Sequence, residues 1–514
     1  MVIGFKDIFA LGWHRQFQNS GNHETDSFID YEGITADSRK TGSGIIFFSF
    51  DSIHNPGVNY IADALKNPIS AVFVDEKYKN QLREMEANSK IPFFYSDNFR
   101  PRAAETISML YNNPSSKMHC IGITGTNGKT TISWALYSVL KELRQKPAYV
   151  GTIGIELPEE SISTSLTTPP VDEMHRLLYQ SYCQQGKYFI AETSSHGLSQ
   201  GRLDAISWDI VMFTNLTEDH RDYHKTMDDY FSSKKILFEN WANFFKQNIL
   251  QKNHDKIRVS AGIINTDDFY GNLLFEWAKK TNPELPLISV GKNAMVRIVS
   301  ITPSWDGYES IIEFEGKTYP LQSKCIGSFN IYNLAMAFTA LLKLGFSSRE
   351  LLSCFRNFKG APGRMEMYRK SNGGMILVDY AHTPDALKKS LETLRELNPK
   401  KLYVIFGCGG DRDRDKRNQM GKIAEDNADF TFLTNDNPRT ENPEDIIVNI
   451  QSGISGNRYK IIFDRREAIE EAVSGLKKDE VLLIAGKGHE DYQILPTGKI
   501  RFSDSEVVCQ ILRD

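Results

Sequence analysis

The stretch MHCIGITGTNGKTTISWALYSVLKEL, residues 118–143, joins an apolar run, a glycine-rich turn and an amphipathic segment. After the turn, apolar residues recur at the helical spacings i, i+3, i+4, i+7, i+8 and i+11. They are Ile132, Ala135, Leu136, Val139, Leu140 and Leu143. A strand, a glycine-rich loop and a helix in this order predict an α/β unit in which the loop leads into a helix N-terminus.

The loop GTNGKTT, residues 125–131, has the composition of a phosphate-binding loop. Its glycines let backbone amides approach phosphate oxygens, Lys129 can reach the terminal phosphates of a nucleotide, and Thr130 can bind Mg²⁺. The strict pattern has glycine where this chain has Ile123, so the loop is a variant. An ordinary glycine-rich turn is the alternative, but the GKT ending between a strand and a helix favours phosphate binding.

Two further residues are candidates for a magnesium site. Glu192 ends the strand pattern KYFIAE, and His220 follows the strand pattern WDIVMFTN. If both strands neighbour the loop strand, their side chains meet at its mouth, where Mg²⁺ needs oxygen ligands. Taken alone, either residue is more commonly a surface carboxylate or a loop histidine, and histidine is an unusual magnesium ligand.

A second regular series follows GAPGRME, residues 360–366. Short apolar strands alternate there with helical patterns, which predicts a parallel sheet with helices on both faces. Ligands bind such sheets beyond the carboxyl ends of the strands, where this chain has VDYAHTP, FGCGGDRD, TNDNPR and AGKGHE. These clusters carry both signs of charge and suit a zwitterionic ligand; the candidates are Asp436, Asn437, Arg439, Gly486, His489 and Glu490.

The length of 514 residues predicts about three domains. We place them at residues 1–115, 116–361 and 362–514, with the first boundary in the linker-like segment YNNPSSK. Alternating residues from Ile298 to Leu321 predict an antiparallel hairpin added to the central sheet. The expected fold class is α/β, with a central P-loop-type, mostly parallel sheet and a C-terminal Rossmann-like doubly wound sheet.

Composition excludes several classes of protein. Lys and Arg number 61 and Asp and Glu 65, a formal charge of −4, so a basic nucleic-acid-binding protein is not expected. No apolar stretch reaches the roughly 18 residues that cross a bilayer, so no membrane span is expected. The six cysteines form no CxxC pair, which is typical of a reducing compartment. We therefore expect a cytoplasmic protein, and we expect a monomer.

Several charged residues have ordinary explanations in the sequence alone. Lys234 lies in a helical pattern, YFSSKKILF, where composition predicts a solvated lysine. Arg364, between the second and third domains, is either a salt-bridge residue or a charge that reaches a phosphate when the third domain closes. The segment GCGGDRDRDKR, residues 407–417, is either a solvated charged loop or a binding loop.

Motifs along nearly the whole chain resemble the Mur ligase family, the ATP-dependent amide-forming ligases of peptidoglycan synthesis. In chain order they are TADSR (35–39), GTNGKTT, TTPP (167–170), ETSSHGLSQGR (192–202), FTNLTEDHRDYH (213–224), GSFNIYN (327–333), GAPGRME, VDYAHTPDAL, FGCGGDRD, DNPRTE (436–441) and GKGHED (486–491). Their order and spacing are far more specific than any single motif. The segment SFDSIHNPGVNY and residues 1–20 depart from the family pattern.

The resemblance implies a role for each matching residue. Ser38 would contact the uridine nucleotide, and the muramoyl dipeptide would contact Thr167, Thr168, Ser194, Gln200 and Arg202. ATP would be held by Gly125, Thr126, Asn127, Gly128, Lys129, Thr130, Thr131, Asn330 and Arg364. Mg²⁺ would be bound by Thr130, Glu192, His220 and Lys234, the last as an N-carboxylated lysine. The catalytic set would be Lys129, Glu192, His220 and Lys234. The incoming amino acid would contact Arg417, Asp436, Asn437, Pro438, Arg439, Gly486 and Glu490.

The implied reaction adds a diamino acid to the γ-carboxylate of UDP-N-acetylmuramoyl-L-alanyl-D-glutamate through an acyl phosphate. The DNPR form favours meso-diaminopimelate, because Arg439 can pair with a carboxylate at the far end of the amino acid, whereas the terminal ammonium of L-lysine would be repelled. L-lysine or another diamino acid is the first alternative. A folylpolyglutamate-type ligase and a non-catalytic ATP-binding regulator are the others.

Overall fold

The computed structural model describes residues 1–15, 27–52, 55–164, 166–219, 223–250 and 259–513 of the chain. It divides into two compact units. The first unit consists of Met1–Thr126, Arg144–Gly262 and Leu273–Leu287, and the second of Asn127–Leu143, Ile263–Asn272 and Ile288–Asp514. In the ranges that the structure describes, no helix combines the length and the apolar character needed to cross a membrane.

The N-terminal part of the first unit is built on a four-stranded parallel sheet in the order β3-β4-β5-β6. Its elements are β1 (Val2–Gly4), α1 (Phe5–Ala10), β2 (Phe28–Asp30), β3 (Gly33–Thr35), β4 (Ile45–Phe48), α2 (Ile61–Ala64), β5 (Ala71–Asp75), α3 (Lys79–Ala87), β6 (Phe93–Ser96) and α4 (Phe99–Leu110). Phe48, Phe73 and Phe94 stack across neighbouring strands with ring centroids 4.6 and 4.9 Å apart. This aromatic layer holds one face of the sheet together.

Residues 119–357 supply the next series of elements. They are β7 (His119–Thr124), α5 (Lys129–Glu142), β8 (Pro147–Gly151), β9 (Gly154–Glu156), β10 (Ser161–Ile162), α6 (Val171–Cys183), β11 (Tyr188–Glu192), α7 (Ser195–Ser199), β12 (Ile210–Phe213), α8 (Met227–Leu250), β13 (Ala261–Asn265), α9 (Phe269–Thr281), β14 (Leu287–Gly291), β15 (Val296–Ser304), β16 (Gly307–Phe314), β17 (Lys317–Ser323), α10 (Ser328–Lys343) and α11 (Ser348–Asn357).

In the first unit these strands run in the order β10-β9-β8-β11-β7-β12. The four strands β8, β11, β7 and β12 are parallel, and β9 and β10 add antiparallel pairs at the edge. In the second unit β15, β16 and β17 pair antiparallel beside β14. The predicted antiparallel hairpin is therefore confirmed, and a third strand extends it to a meander.

The C-terminal part of the second unit alternates strands and helices as the sequence predicts. Its elements are β18 (Glu366–Arg369), β19 (Met375–Asp379), α12 (Pro384–Arg395), β20 (Lys401–Phe406), α13 (Lys416–Asn427), β21 (Phe430–Leu433), α14 (Pro443–Gln451), β22 (Tyr459–Ile461), α15 (Arg465–Gly475), β23 (Glu480–Ala485), β24 (Tyr492–Leu495), β25 (Gly498–Arg501) and α16 (Asp504–Ile511). The sheet order is β18-β19-β23-β20-β21-β22, in which only β18 is antiparallel. The loops after β19, β20, β21 and β23 therefore leave the same edge of the sheet.

Candidate active site

The glycine-rich loop between β7 and α5 depends on two glycines. Gly125 has a φ of +140°, and a Cβ atom there would lie 1.8 Å from Oγ1 of Thr214. Gly128 has a φ of +89°, and its Cβ would lie 2.5 Å from Oδ1 of Asn333. Ile123, the departure from the strict pattern, is a fully buried residue of β7. The loop therefore begins at Gly125, and the departure belongs to the strand rather than to the binding turn.

Polar contacts fix the first half of this loop to the segment after β12. The amide of Thr126 donates to the carbonyl of Asn215 at 2.8 Å, and the amide of Thr217 donates to Oγ1 of Thr126 at 3.1 Å. Helix α5 begins directly afterwards at Lys129, with Thr130 buried in its first turn. A fixed turn that leads into a helix N-terminus offers amides and a favourable dipole to phosphate oxygens.

Lys234 lies on α8 and is buried against the start of the same loop. Its side chain is 1 % exposed, and its Nζ donates to the carbonyl of Gly125 at 2.9 Å. The ammonium also lies 4.5 Å from the centroid of the Tyr230 ring, a cation–π contact. The helix predicted for this segment is confirmed, but the solvated lysine predicted from composition is wrong, because tertiary packing places this side chain on the loop.

Glu192 ends β11 at the edge where the loop leaves the sheet. Its Cα is paired in parallel register with that of Ile123 in β7, and its side chain is fully buried. Oε1 accepts hydrogen bonds from the Tyr149 hydroxyl at 2.6 Å and from the Thr152 amide at 3.1 Å, and Oε2 accepts one from Oγ1 of Thr152 at 2.9 Å. Gly151 makes this possible, because its Cβ would lie 2.3 Å from Oε1. The end of β8 therefore forms a cradle for one carboxylate.

Four of the residues assigned to the dipeptide form one network in the first unit. Oγ1 of Thr168 donates to the carbonyl of Glu192 at 2.9 Å and accepts from the amide of Ser194 at 3.0 Å. Arg202 donates to the carbonyl of Thr168 at 2.7 Å and to Oε1 of Gln200 at 2.6 and 3.0 Å. Thr168 is 1 % exposed, so its hydroxyl serves the framework.

The TADSR turn is tied to the helix that follows TTPP. The amide of Ala36 donates to Oδ2 of Asp172, in the first turn of α6, at 2.8 Å. Ser38, two residues after Ala36 in the TADSR turn, is half-buried. Thr167 is also half-buried, and its Oγ1 lies 3.2 Å from Oγ1 of Thr152. The turn that contains Ser38 is thus tied to α6, and Thr167 contacts the residue after β8. The sequence did not single out Asp172.

In the second unit Asn330 and Arg364 occupy two different settings. Asn330 is buried in the first turn of α10, where it donates to the Ile326 carbonyl at 2.7 Å and accepts from Asn333 at 3.1 Å. Asn333 is the residue that packs against Gly128, so Asn330 is held near the second half of the loop. The guanidinium of Arg364 lies 4.8 Å from the centroid of the Tyr380 ring.

Residues predicted on two loops of the C-terminal sheet meet directly. Nδ2 of Asn437 donates to Oε2 of Glu490 at 3.1 Å, and the fully buried Lys487 donates to the same oxygen at 2.8 Å. Gly486 has a φ of +115°, and its Cβ would lie 2.7 Å from Oδ2 of Asp436. The loops after β21 and β23 therefore form one charged cluster, as the sequence predicts.

Arg439 belongs to the loop that contains Asn437 and the buried Pro438. It has a φ of +54°, and its Nη1 donates to the carbonyl of Gly410 at 2.8 Å. A Cβ at Gly409 would lie 2.9 Å from Nη1 of Arg439 and 3.7 Å from Cγ of Arg412. Two arginine side chains, one half-buried and one exposed, therefore flank Gly409.

Arg417, in the first turn of α13, is buried rather than solvated. Its side chain is 1 % exposed, and its guanidinium donates to both carboxylate oxygens of Glu441 at 3.0 Å, to Asn449 at 3.1 Å and to the Gly409 carbonyl at 3.1 Å. Hydrogen bonds from Arg417 lower the pKa of Glu441 to about 2. These bonds hold the loop together, and the assignment of Arg417 to the amino acid stays a prediction.

Comparisons with known proteins find relatives that match most of the chain. Two family models match, the Mur ligase middle domain at residues 123–341 and the Mur ligase glutamate ligase domain at residues 363–488. The curated UDP-N-acetylmuramoyl-L-alanyl-D-glutamate--2,6-diaminopimelate ligase of Aquifex aeolicus is 38 % identical over 94 % of this chain and 93 % of its own. The chain belongs to the Mur ligase family.

Solved structures agree with this Mur ligase fold. A structure of a UDP-N-acetylmuramoyl-L-alanyl-D-glutamate--2,6-diaminopimelate ligase matches with a TM-score of 0.70 and 30 % identity, covering 100 % of this chain and 99 % of the other. The folylpolyglutamate synthase of Mycobacterium tuberculosis, complexed with ADP and AMPPCP, matches with a TM-score of 0.58 and 14 % identity. That match covers 75 % of this chain and 92 % of the synthase, so it shows a shared fold over three quarters of the Mur ligase.

Not every predicted residue of this Mur ligase can be placed. His220 lies outside the described residues, so its approach to the loop stays a prediction. Glu192 and Lys234 both lie at the loop edge of the first unit. The sequence assigned no role to several residues that contact the predicted ones. Tyr149, Gly151 and Thr152 surround Glu192, and the others are Asp172, Asn333, Glu441 and Lys487. Asn333, Glu441 and Lys487 stand inside motifs quoted above, and the YVGTIG pattern, with two glycines and a threonine, could have drawn attention to Tyr149, Gly151 and Thr152.

Proposed function

We propose that this Mur ligase adds meso-diaminopimelate to the γ-carboxylate of the D-glutamyl residue of UDP-N-acetylmuramoyl-L-alanyl-D-glutamate, with conversion of ATP to ADP and phosphate. The observation that carries the proposal is the likeness, over nearly the whole chain, to a curated 2,6-diaminopimelate ligase. We assign the UDP-sugar to residues 1–115, ATP to residues 116–361 and the amino acid to residues 362–514. We also propose that the protein acts in the cytoplasm, which the absence of a CxxC pair among its six cysteines favours, and that it is a monomer.

The proposed reaction has two steps. An oxygen of the γ-carboxylate attacks the γ-phosphorus of ATP, the bond to the bridging oxygen breaks, and ADP leaves. The amine of the amino acid then attacks the acyl carbon, phosphate leaves, and the amine gives up a proton to solvent. Lys129 and the amides of residues 125–131 stabilise the charge of the transferred phosphoryl group. Water has to be excluded, because it would hydrolyse the acyl phosphate.

We include Mg²⁺ because the residues assigned to it include hard oxygen donors. The buried carboxylate of Glu192 and the hydroxyl of Thr130 are ligand types that Mg²⁺ prefers. When bound, Mg²⁺ neutralises phosphate charge and makes the γ-phosphorus a better electrophile.

Lys234 joins these ligands if its amine is N-carboxylated. Native mass spectrometry is expected to find the wild-type protein heavier than Lys234→Ala by one carbon dioxide beyond the mass of the substitution.

The function is tested by asking which mixtures release ADP. Purified protein with ATP and Mg²⁺ is expected to form ADP and phosphate only when the UDP-linked dipeptide and meso-diaminopimelate are both present. Equal ATP turnover without them would contradict a ligase. Supplying meso-diaminopimelate, L-lysine and L-ornithine together, with the product identified by mass, then decides the amino acid. A lysine-containing product would favour the first alternative.

We propose that Arg439 recognises the carboxylate at the far end of diaminopimelate, and we keep Arg417 among the residues proposed to bind the amino acid. Arg439→Ala is expected to raise the KM for meso-diaminopimelate roughly 10- to 100-fold, because a charge-assisted hydrogen bond is lost. The KM for ATP should stay within about twofold, since the loss is local. Steady-state kinetics measures both, and Arg501→Ala, an exposed arginine paired with Glu506, is the control. An unchanged preference for diaminopimelate over L-lysine in Arg439→Ala would refute this assignment.

A further inference from the structure

Thr152 lies between two residues that the proposed function uses. It directly follows β8, and both its amide and its hydroxyl donate to the carboxylate of Glu192. The same hydroxyl lies 3.2 Å from the hydroxyl of Thr167, a residue assigned to the dipeptide. One threonine therefore connects the carboxylate proposed for Mg²⁺ with a side chain proposed for the substrate.

The direction of these hydrogen bonds follows from counting protons. A threonine hydroxyl has one proton to donate and can also accept, and here the Thr152 hydroxyl donates to the Glu192 carboxylate. The proton of Thr152 is therefore used on Oε2 of Glu192, 2.9 Å away. The contact with Thr167 then requires Thr167 to be the donor. Because its single proton is used on Thr152, the hydroxyl of Thr167 keeps only lone pairs for a ligand.

The other donors to the Glu192 carboxylate keep the hydrogen bond from Thr167 to Thr152 from reversing its direction. Tyr149 and the amide of Thr152 both donate to Oε1, so each carboxylate oxygen has a donor from the end of β8. Gly151 leaves no room for a side chain, since its Cβ would meet Oε1 at 2.3 Å and the Tyr149 hydroxyl at 2.4 Å. The carboxylate cannot be moved without disturbing Thr152, and with it Thr167.

We propose that Thr152 is a positioning residue that presets Thr167 as a hydrogen-bond acceptor. Thr167 then takes a neutral N–H or O–H donor of the muramoyl dipeptide, and it does not donate to a carboxylate or phosphate of that substrate. The inference rests on the proposed function for the identity of the substrate. It adds a specific link, in which the orientation of the Glu192 carboxylate sets the polarity of a substrate contact.

The test compares two substitutions at Thr152. Thr152→Val removes the hydroxyl at nearly constant volume and is expected to weaken binding of the UDP-linked dipeptide about tenfold, the value of one hydrogen bond. Thr152→Ser keeps the hydroxyl and is expected to bind within about twofold of the wild type. Isothermal titration without ATP and metal measures binding alone, and Thr281→Val, an exposed threonine bonded to the Trp277 carbonyl, is the matched control.

A double-mutant cycle separates this link from a general loss of structure. If Thr152 acts through Thr167, Thr152→Val/Thr167→Val binds the dipeptide no worse than Thr167→Val alone. Additive losses, or unchanged affinity in Thr152→Val, would overturn the inference. So would a tenfold loss in Thr152→Ser. Failure of the wild-type protein to bind the dipeptide would instead refute the proposed function, so the two failures are distinguishable.

Discussion

Lys129→Ala is expected to lower kcat about 10³-fold, because the variant loses a charge that acts on the transferring phosphoryl group. Lys129 is the first residue of α5 and directly follows Gly128, whose positive φ turns the chain into the helix. The same helix start that orients the loop amides therefore places this side chain next to them. Lys129→Arg is expected to recover only part of the activity, since a planar fork does not replace a compact ammonium.

Rapid-quench measurements of acyl phosphate formation decide whether the loss is in the chemical step. The control is Lys141→Ala, because Lys141 lies near the other end of α5 and contacts the Tyr137 hydroxyl at 3.1 Å. That variant should keep its rate within about twofold, since Lys141 is an exposed residue away from the loop and a contact at the surface contributes little. If Lys129→Ala kept more than about one tenth of the wild-type rate, the loop would not be the phosphate site that is proposed here.

Much of the fold could be predicted because it depends on local patterns. Apolar periodicity predicts strand β7 and helix α5. The alternation of short apolar segments with helical patterns after residue 366 predicts the parallel strands of the C-terminal sheet. The antiparallel edge strand β18 and the hairpin of β24 and β25 were not predicted. Short edge strands have weak patterns of their own, because their pairing depends on which neighbour the rest of the fold leaves open.

The site could be predicted only where a motif carries its own chemistry. Glycine positions and charged loops are visible in the sequence; Asp436 does lie against Gly486, and Asn437 does bond Glu490. Burial is not visible. From the sequence, Lys234 and Arg417 would be solvated side chains or ligand contacts, yet both are 1 % or less exposed. Their partners lie far away in sequence or in another loop, so only the folded chain decides which donors remain for a substrate.

The buried ion pair of Arg465 and Asp504 supports the amino-acid loops from behind. Both side chains are fully buried and meet in two hydrogen bonds of 2.7 Å. Arg465 also donates to the carbonyls of Ala485 at 3.0 Å and Asn435 at 3.4 Å, the residues directly before Gly486 and Asp436. One guanidinium thus joins α16 to the ends of β21 and β23.

Asp504→Ala is therefore expected to cost about 3–5 kcal/mol of local stability, because it leaves a buried guanidinium without its carboxylate. Hydrogen exchange at the amides of β23 should become about 10²–10⁴-fold faster, and the KM for the amino acid should rise while the KM for ATP changes little. Glu471→Ala on the neighbouring helix α15 is the control. Its partner Lys460 lies 2.6 Å away, but both side chains are about half exposed, so the loss should stay below about 1 kcal/mol. Equal effects of the two substitutions would mean that burial does not strengthen the Arg465 pair, and that the two loops keep their places without it.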